Sequence, residues 1–181
     1  MKTLATIAIL ACLLFVVEAA MTRHTTPARV GGVATTDQVT GRPSLSATTI
    51  DRILCRASSP ACGTGQDLYD GSVSSGIDDA YALAFFEHES SFGLYGIAHD
   101  NLGLGNIRCS AGYSCKSGFR AYTSWSQGYA DWYKLIAWYI SDLHKSSVAQ
   151  IVTTYAPASE NDTQGYINSV QNAVATWRNS Q

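Results

Sequence analysis

Charged residues are scarce in this chain of 181 residues. Asp, Glu, Lys and Arg make up 14% of it, and 12 basic residues stand against 14 acidic ones. The formal net charge is −2 and the isoelectric point is near 6.0. Proteins that bind nucleic acid usually carry a strongly basic surface for the phosphates. The composition therefore gives no reason to expect a nucleic-acid partner.

Long apolar runs are absent after the first 20 residues. The one such run spans residues 4–17, follows a lysine at position 2 and ends in Val-Glu-Ala at residues 17–19. It is shorter than the roughly 20 residues that cross a bilayer, and its order is that of a secretory signal. We therefore predict a signal peptide at residues 1–19 and a secreted, extracellular protein without membrane attachment. A membrane anchor is the alternative.

A spare thiol is also lacking, because Cys12 leaves with the signal peptide and an even number of cysteines remains. A catalytic cysteine is therefore not expected. A zinc site would normally show Cys-x-x-Cys spacing, and an oxidising compartment disfavours free thiols, so no metal is predicted. Four cysteines allow three pairings. Proximity in the sequence favours Cys55–Cys62 and Cys109–Cys115, each closing a short loop.

Periodicity is missing from residues 20–45, which contain many Thr, Gly, Ala and Val. We predict a flexible stalk or pro-segment there, and one domain over residues 46–181.

Residues 67–75 suggest a loop, and Ser74 or Ser75 could cap the helix that follows over residues 77–90. That helix is apolar nearly all round, which is typical of the buried centre of a domain. Residues 91–123 are rich in glycine. Three helices follow, the first with an apolar stripe over residues 126–144 and the second capped by Ser147. The fold class predicted is mainly α (α+β), with a small irregular or β lobe.

The chemistry is expected where the central helix ends, at Phe86-Glu87-His88-Glu89. A carboxyl held there is partly desolvated, which raises its pKa and keeps it protonated as a proton donor. Glycosidic cleavage needs such a donor for the leaving oxygen. Two residues apart on a helix, Glu87 and Glu89 point about 200° apart, so both cannot line one cleft. Glu89 is nearer the glycine-rich lobe and is the predicted acid; a solvated glutamate is the alternative.

Four segments in order resemble the lysozyme-like glucosaminidases of glycoside hydrolase family 73. The first is ALAFFEHESSFG at residues 82–93, which resembles the family's Glu-Ser-x-(aromatic)-Gly signature after an apolar helix. The second comprises GIA at residues 96–98 and residues 101–108, which end in Gly-Asn-Ile-Arg. The third is FRAYTSW at residues 119–125, and the fourth is Tyr155-Ala156-Pro157 with Tyr166. The resemblance covers residues 46–178.

This resemblance implies a lysozyme-like fold and a monomeric endo-β-N-acetylglucosaminidase that needs no cofactor. Its substrate would be peptidoglycan or a related N-acetylhexosamine glycan. Glu89 maps onto the proton donor. Asp100, the one acid in the lobe, is the candidate second carboxylate, and the substrate's own acetamido group is the alternative nucleophile. The candidate sugar-binding residues are Asn106, Arg108, Tyr122, Trp125 and Tyr155, and the three aromatic ones could equally pack in the protein.

Two other functions remain open at this point. Goose-type lysozymes and lytic transglycosylases carry similar Glu-Ser strings, so a muramidase or lytic transglycosylase on the same fold is one alternative. A catalytically silent glycan-binding module is the other. An open cleft shared by Glu89 and a second acid would favour an enzyme over a binding module.

Overall fold

The computed structural model describes residues 37–180. The predicted signal peptide and residues 20–36 of the predicted stalk lie outside the described residues. Helices and one pair of short strands make up the described part. In chain order they are α1 (Ala47–Arg56), α2 (Gly65–Ser75), α3 (Asp79–Ser90), α4 (Ala98–Asn101), β1 (Cys115–Lys116), β2 (Phe119–Arg120), α5 (Trp125–Ser141), α6 (Val148–Tyr155) and α7 (Thr163–Asn179).

The predicted fold class, mainly α with a small β part, is confirmed. The β part is an antiparallel hairpin in which Cys115 pairs with Arg120 and Lys116 with Phe119. An isolated bridge from Arg108 to Phe119 attaches the preceding segment to this hairpin. No helix within residues 37–180 is long and apolar enough to cross a membrane.

Helix α3 is the buried centre of the fold, as predicted, and packs against α7. Every residue from 79 to 86 is buried, on all sides of the helix. Its N-cap is Asp78, whose side chain accepts a hydrogen bond from the Ala80 N–H at 2.9 Å, so the predicted caps at Ser74 and Ser75 are wrong. Residues 91–93 all have positive φ and turn the chain away after Ser90. The last turn of α3 therefore leaves the core where the glycine-rich lobe begins.

Helix α2 corrects the expectation of a loop over residues 67–75. Its apolar pattern is weak, and Gly65 and Gly71 lower its intrinsic helix propensity. Packing explains both glycines. A Cβ on Gly71 would lie 2.5 Å from the ring of Tyr133 on α5, and one on Gly65 would lie 2.5 Å from the Ala47 carbonyl on α1. Tertiary contact with α1 and α5 thus stabilises a helix that local propensity does not predict.

The ordered domain also begins before the predicted boundary at residue 46. Val39 is fully buried and its N–H donates to the Ser146 carbonyl at 2.9 Å. Leu45 is buried as well, and its N–H donates to Asp79 Oδ1 at 3.1 Å. Residues 37–45 are therefore part of the folded domain and not of a stalk.

Both predicted disulfides are present. Cys55–Cys62 joins the end of α1 to the turn before α2, with a Cα–Cα distance of 4.7 Å. Cys109–Cys115 closes the lobe in front of the hairpin, with a Cα–Cα distance of 5.7 Å. Both distances are normal for disulfides, and the two bonds are compatible with an oxidising compartment.

The last three helices complete the core. The apolar stripe predicted for α5 is buried against the other helices. Ser147 caps α6, as predicted, in a capping box with Gln150. Helix α6 ends two residues before Pro157, and Asp162 caps α7. The loop between these two helices spans residues 156–162.

Candidate active site

Glu89 lies half-buried in the last turn of α3. The hydroxyl of Tyr166, on α7, donates a hydrogen bond to Glu89 Oε1 at 2.7 Å. Tyr166 is itself buried, with its ring centroid 5.4 Å from that of Phe85 and 3.7 Å from the stacked His88 ring. Packing in the core therefore fixes Tyr166, and Tyr166 in turn holds the Glu89 carboxyl.

Burial raises the pKa of Glu89 to about 7. Hydrogen bonding from Tyr166 and Asn106 favours the ionised form and opposes this shift, but it does not outweigh desolvation. A carboxyl with this pKa is still largely protonated at mildly acidic pH, where an ordinary glutamate has ionised. It can then both donate and accept a proton near neutral pH.

Glu87, the competing acid, is exposed to solvent and lines neither of the two cavities described below. This placement agrees with the 200° separation expected of two helical residues that are two positions apart. Of the two acids, only Glu89 faces a cavity.

The main cavity, as we call it, is an open depression of about 580 Å³ at the junction of the lobe, α5, α6 and the 156–162 loop. This volume is within the range of sites that bind small ligands. Four predicted site residues line it together: Glu89, Asn106, Arg108 and Tyr155.

Asn106 joins the lobe to the end of α3. Its backbone has a φ of 46°, and its Nδ2 donates to the Glu89 backbone carbonyl at 2.7 Å. A carbonyl can only accept, so this contact also fixes which end of the amide is nitrogen. Asn106 Oδ1 is buried and has no hydrogen-bond partner within residues 37–180. A buried acceptor of this kind at a cavity wall is suited to an N–H or hydroxyl donor of a ligand.

Tyr155 holds the same segment from the other side. Its hydroxyl donates to the Gly105 carbonyl, and its ring meets Phe85 edge-on at 5.5 Å. Gly105 has to be a glycine here, because a Cβ would lie 2.6 Å from the Trp132 ring. Tyr155 thus lines the cavity and also supports its floor.

Arg108 and Glu160 face each other across the rim of the main cavity. Arg108 Nη2 donates to Glu160 Oε2 at 2.5 Å, which connects the lobe to the 156–162 loop. Both side chains are well exposed, with 77% and 53% of their surface accessible. An exposed pair like this contributes little to the stability of the fold.

A second depression of about 300 Å³, here called the side cavity, adjoins the main one. Glu89 and Asn161 line both, so the two depressions meet at the candidate acid. The remaining lining residues of the side cavity are His88, Asp162, Gly165 and Tyr166.

Asp100, the predicted second carboxylate, lines neither cavity. It lies on α4 with its side chain 54% exposed, and it pairs with Lys116 Nζ at 3.1 Å and with His99 Nδ1 at 3.4 Å. Hydrogen bonding to Lys116 is the main cause that lowers the pKa of Asp100. The structure therefore does not bring Asp100 together with Glu89.

Tyr122 and Trp125 also lie outside both cavities. The Tyr122 hydroxyl donates to Asp131 Oδ2 at 2.7 Å, and Arg120 Nη1 donates to the same oxygen at 2.9 Å. Trp125 packs against the core near Gly93. The contacts of Tyr122 and Trp125 thus support packing within the protein, which was the alternative to sugar binding.

Two residues of the site were not predicted as site residues. Tyr166 belongs to the fourth family-like segment, but the sequence pattern assigned it no role in the site. Glu160 lies in a loop with no motif, and only the fold brings it to the same cavity as Glu89. No sequence signal distinguishes it from a solvated loop residue.

Residues 37–180 contain no group of three or more His, Cys, Asp or Glu side chains that could hold a metal ion. The chain matches no protein-family model and no curated protein sequence. Its function must therefore be argued from the geometry of Glu89 and the two cavities.

Proposed function

We propose that this protein is a secreted glycoside hydrolase of the endo-β-N-acetylglucosaminidase type. It would cut β-1,4 bonds in peptidoglycan or a related N-acetylglucosamine polymer, with Glu89 as the proton donor. The observation that carries the proposal is a half-buried glutamate, with a pKa raised to about 7, at the meeting point of two open cavities. This is the protonation behaviour that a glycosidase acid requires.

The hydrogen-bonding groups around Glu89 suit an amide-bearing sugar. Asn106 Oδ1 is a buried acceptor without a partner among the described residues, and an acetamido N–H or a hydroxyl would satisfy it. Arg108 offers exposed N–H donors at the rim. Glu89 lines both cavities, which together offer room for more than one sugar of a polymer. These features favour a glycan with N-acetyl groups over a small compact substrate.

Catalysis would begin with a proton on Glu89 Oε2, the oxygen that Tyr166 does not engage. Transfer of this proton to the glycosidic oxygen lets the sugar leave while positive charge develops at the anomeric carbon. A muramidase or lytic transglycosylase would use the same first step, and a silent binding module would use none of it. Asp100 lines neither cavity, so we assign the second group to another acid or to the substrate's own acetamido group.

Product analysis on purified cell wall tests the proposal. Mass spectrometry of the released muropeptides should show reducing N-acetylglucosamine ends. Anhydro-muramyl products, which are one water lighter, would identify a lytic transglycosylase instead. Reducing muramic acid ends would identify a muramidase. Glycan binding with no product at all would leave only the binding module.

A further inference from the structure

Two other carboxylates line the cavities beside Glu89, namely Glu160 in the main cavity and Asp162 in the side cavity. Asp162 is committed to structure, because its Oδ1 accepts the Gly165 N–H at 2.9 Å and caps α7. Asp131 is also engaged in the structure, because Arg120 forms an ion pair with it and the Tyr122 hydroxyl donates a hydrogen bond to it. Glu160 is thus the described carboxylate that shares the main cavity with Glu89 and has no capping role.

The surroundings of the two glutamates differ in the way that acid–base catalysis needs. Glu89 is desolvated, and this favours its protonated form although the Tyr166 hydroxyl donates a hydrogen bond to it. Glu160 is half-exposed and its partner is the cationic guanidinium of Arg108. Opposite environments for two carboxyl groups in one cleft are the mark of an acid and a base with separate tasks.

We propose that Glu160 is the general base that activates the hydrolytic water, and that Arg108 is the residue that positions it. This inference rests on the proposed glycosidase function and names the second catalytic group, a role for which the sequence favoured Asp100. The exposed side of Glu160 gives water direct access, and the Arg108 contact fixes one carboxylate oxygen, Oε2. The other oxygen, Oε1, would accept the proton of the water.

The reaction then balances in one displacement. The water oxygen forms a bond to the anomeric carbon while the bond from that carbon to the leaving oxygen breaks. Glu160 takes one proton from the water, and Glu89 gives its proton to the leaving oxygen. Glu89 ends ionised and Glu160 ends protonated, and exchange with solvent restores both. Direct attack by water inverts the anomeric configuration, whereas attack by the substrate's acetamido group followed by water retains it.

The configuration of the first product therefore gives a test on the unaltered protein. We expect proton NMR of a digest of soluble, purified glycan strands to show the α-anomer first, followed by mutarotation. The β-anomer as first product would overturn the proposal, since it requires a covalent or acetamido intermediate.

Variants of the base provide the second test. Glu160→Gln should lower kcat by about a hundredfold with little change in KM, which is the usual scale for a lost general base. The acidic limb of its pH–rate profile should flatten, because the group that must lose a proton is gone. Asp100→Asn is the matched control, an exposed acid in an ion pair outside the cavities, and it should keep full activity. A Glu160→Gln variant within about threefold of wild type would contradict the proposal.

Chemical rescue separates a base from a residue that only binds or braces. Sodium azide is a nucleophile that needs no base, so it should restore turnover to Glu160→Ala and yield a glycosyl azide, detected by mass spectrometry. Arg108→Gln should lower kcat severalfold with little change in KM, because Glu160 loses the group that orients it, and Arg108→Lys should recover most of the wild-type rate. A loss in Glu160→Ala that azide leaves unchanged would mean a structural role and would overturn the proposal.

Different results would show that the glycosidase function is wrong and that the role of Glu160 is wrong. If the wild type releases no reducing ends from any N-acetylglucosamine polymer, the proposed function itself is wrong. If the wild type is active and Glu89→Gln is not, while Glu160→Gln is unaffected, only the assignment of the base is wrong.

Discussion

At the scale of single residues, the chemistry of Glu89 depends on what surrounds it. The same side chain two positions earlier, Glu87, is exposed. Glu89 contacts the buried Tyr166 and also lines a cavity, so it keeps its proton to higher pH than an ordinary glutamate and remains accessible to a ligand. A residue in the last turn of a helix also faces the negative end of the helix dipole, which disfavours a carboxylate there.

Replacing Glu89 by Gln should abolish activity and leave the fold intact. The amide has the same shape and cannot donate a proton to the leaving oxygen, so wall-lytic activity should fall by at least about a hundredfold. Glu87→Gln is the control and should remain within a few-fold of wild type, because Glu87 lines neither cavity. Turbidity loss of a cell-wall suspension measures both. A reversed pair of effects would move the acid to Glu87.

Replacing Tyr166 by Phe should shift the pH at which activity is lost. The hydroxyl stabilises the ionised form of Glu89, so its removal raises the pKa of Glu89 further above its present value of about 7. The alkaline limb of the kcat profile should therefore move to higher pH, while the ring still packs on Phe85. An unchanged alkaline limb would show that Glu89 does not set it.

At the scale of elements, the two disulfides have different surroundings. Cys109 lines the main cavity beside Arg108, whereas Cys55–Cys62 joins α1 to the turn before α2. Each closes a loop of a few residues and should contribute at most about 2–3 kcal/mol. Position, and not loop length, should therefore decide what each bond does for function.

Removing each disulfide by a double serine substitution should separate these roles. Loss of Cys55–Cys62 should lower the Tm by several degrees and leave activity per folded molecule unchanged. Loss of Cys109–Cys115 should lower activity severalfold even where the protein remains folded, because the segment carrying Arg108 is released. Thermal melts and initial rates measure the two effects. Equal activity losses in both variants would show that neither disulfide supports the site specifically.

The sequence predicts the elements that local pattern determines and misses those that tertiary contact determines. Helix α3, the buried stripe of α5 and both disulfides follow from apolar periodicity and cysteine spacing. Helix α2 does not, because its glycines are explained only by neighbouring side chains at 2.5 Å. The same limit applies to the site. Glu89 lies in the last turn of a recognisable helix, whereas Glu160 lies in a loop whose path no local pattern predicts.

At the scale of the whole molecule, α3 has a perturbed carboxyl at each end. Glu89 lies at one end, and the buried Asp78–Asp79 pair at the other joins three parts of the chain. Asp79 Oδ1 accepts the N–H groups of Ser44 and Leu45, and Asp78 Oδ2 accepts from Arg178 of α7 at 2.6 Å. The start of the domain, the central helix and the last helix are thus connected through two adjacent aspartates.

These two aspartates share one proton unequally. Burial opposes the charge on both. For Asp78, hydrogen bonds from Asp79, the Ala80 N–H, Ser44 and Arg178 outweigh burial and lower its pKa. For Asp79, burial followed by the adjacent Asp78 raises the pKa to about 7. At mildly acidic pH the pair therefore carries one negative charge, with the charge on Asp78 and the proton on Asp79.

Replacing Asp79 by Asn should therefore change how stability depends on pH. In the wild type, unfolded Asp79 ionises near its usual value of 3.8, whereas folded Asp79 stays protonated to about 7. The folded state binds the extra proton between these values, so the free energy of unfolding falls as the pH rises through this window and levels off above it. Asparagine keeps the acceptor for Ser44 and Leu45 and offers an N–H toward Asp78 without a proton to lose. Relative to wild type, Asp79→Asn should gain on the order of 1–3 kcal/mol in the free energy of unfolding between pH 4 and pH 8.

Urea unfolding at both pH values measures this gain, and Asp78→Asn, which removes the charged partner of Arg178, is the destabilised control. An Asp79→Asn variant whose stability runs parallel to wild type across this range would show that Asp79 is ionised in the folded protein.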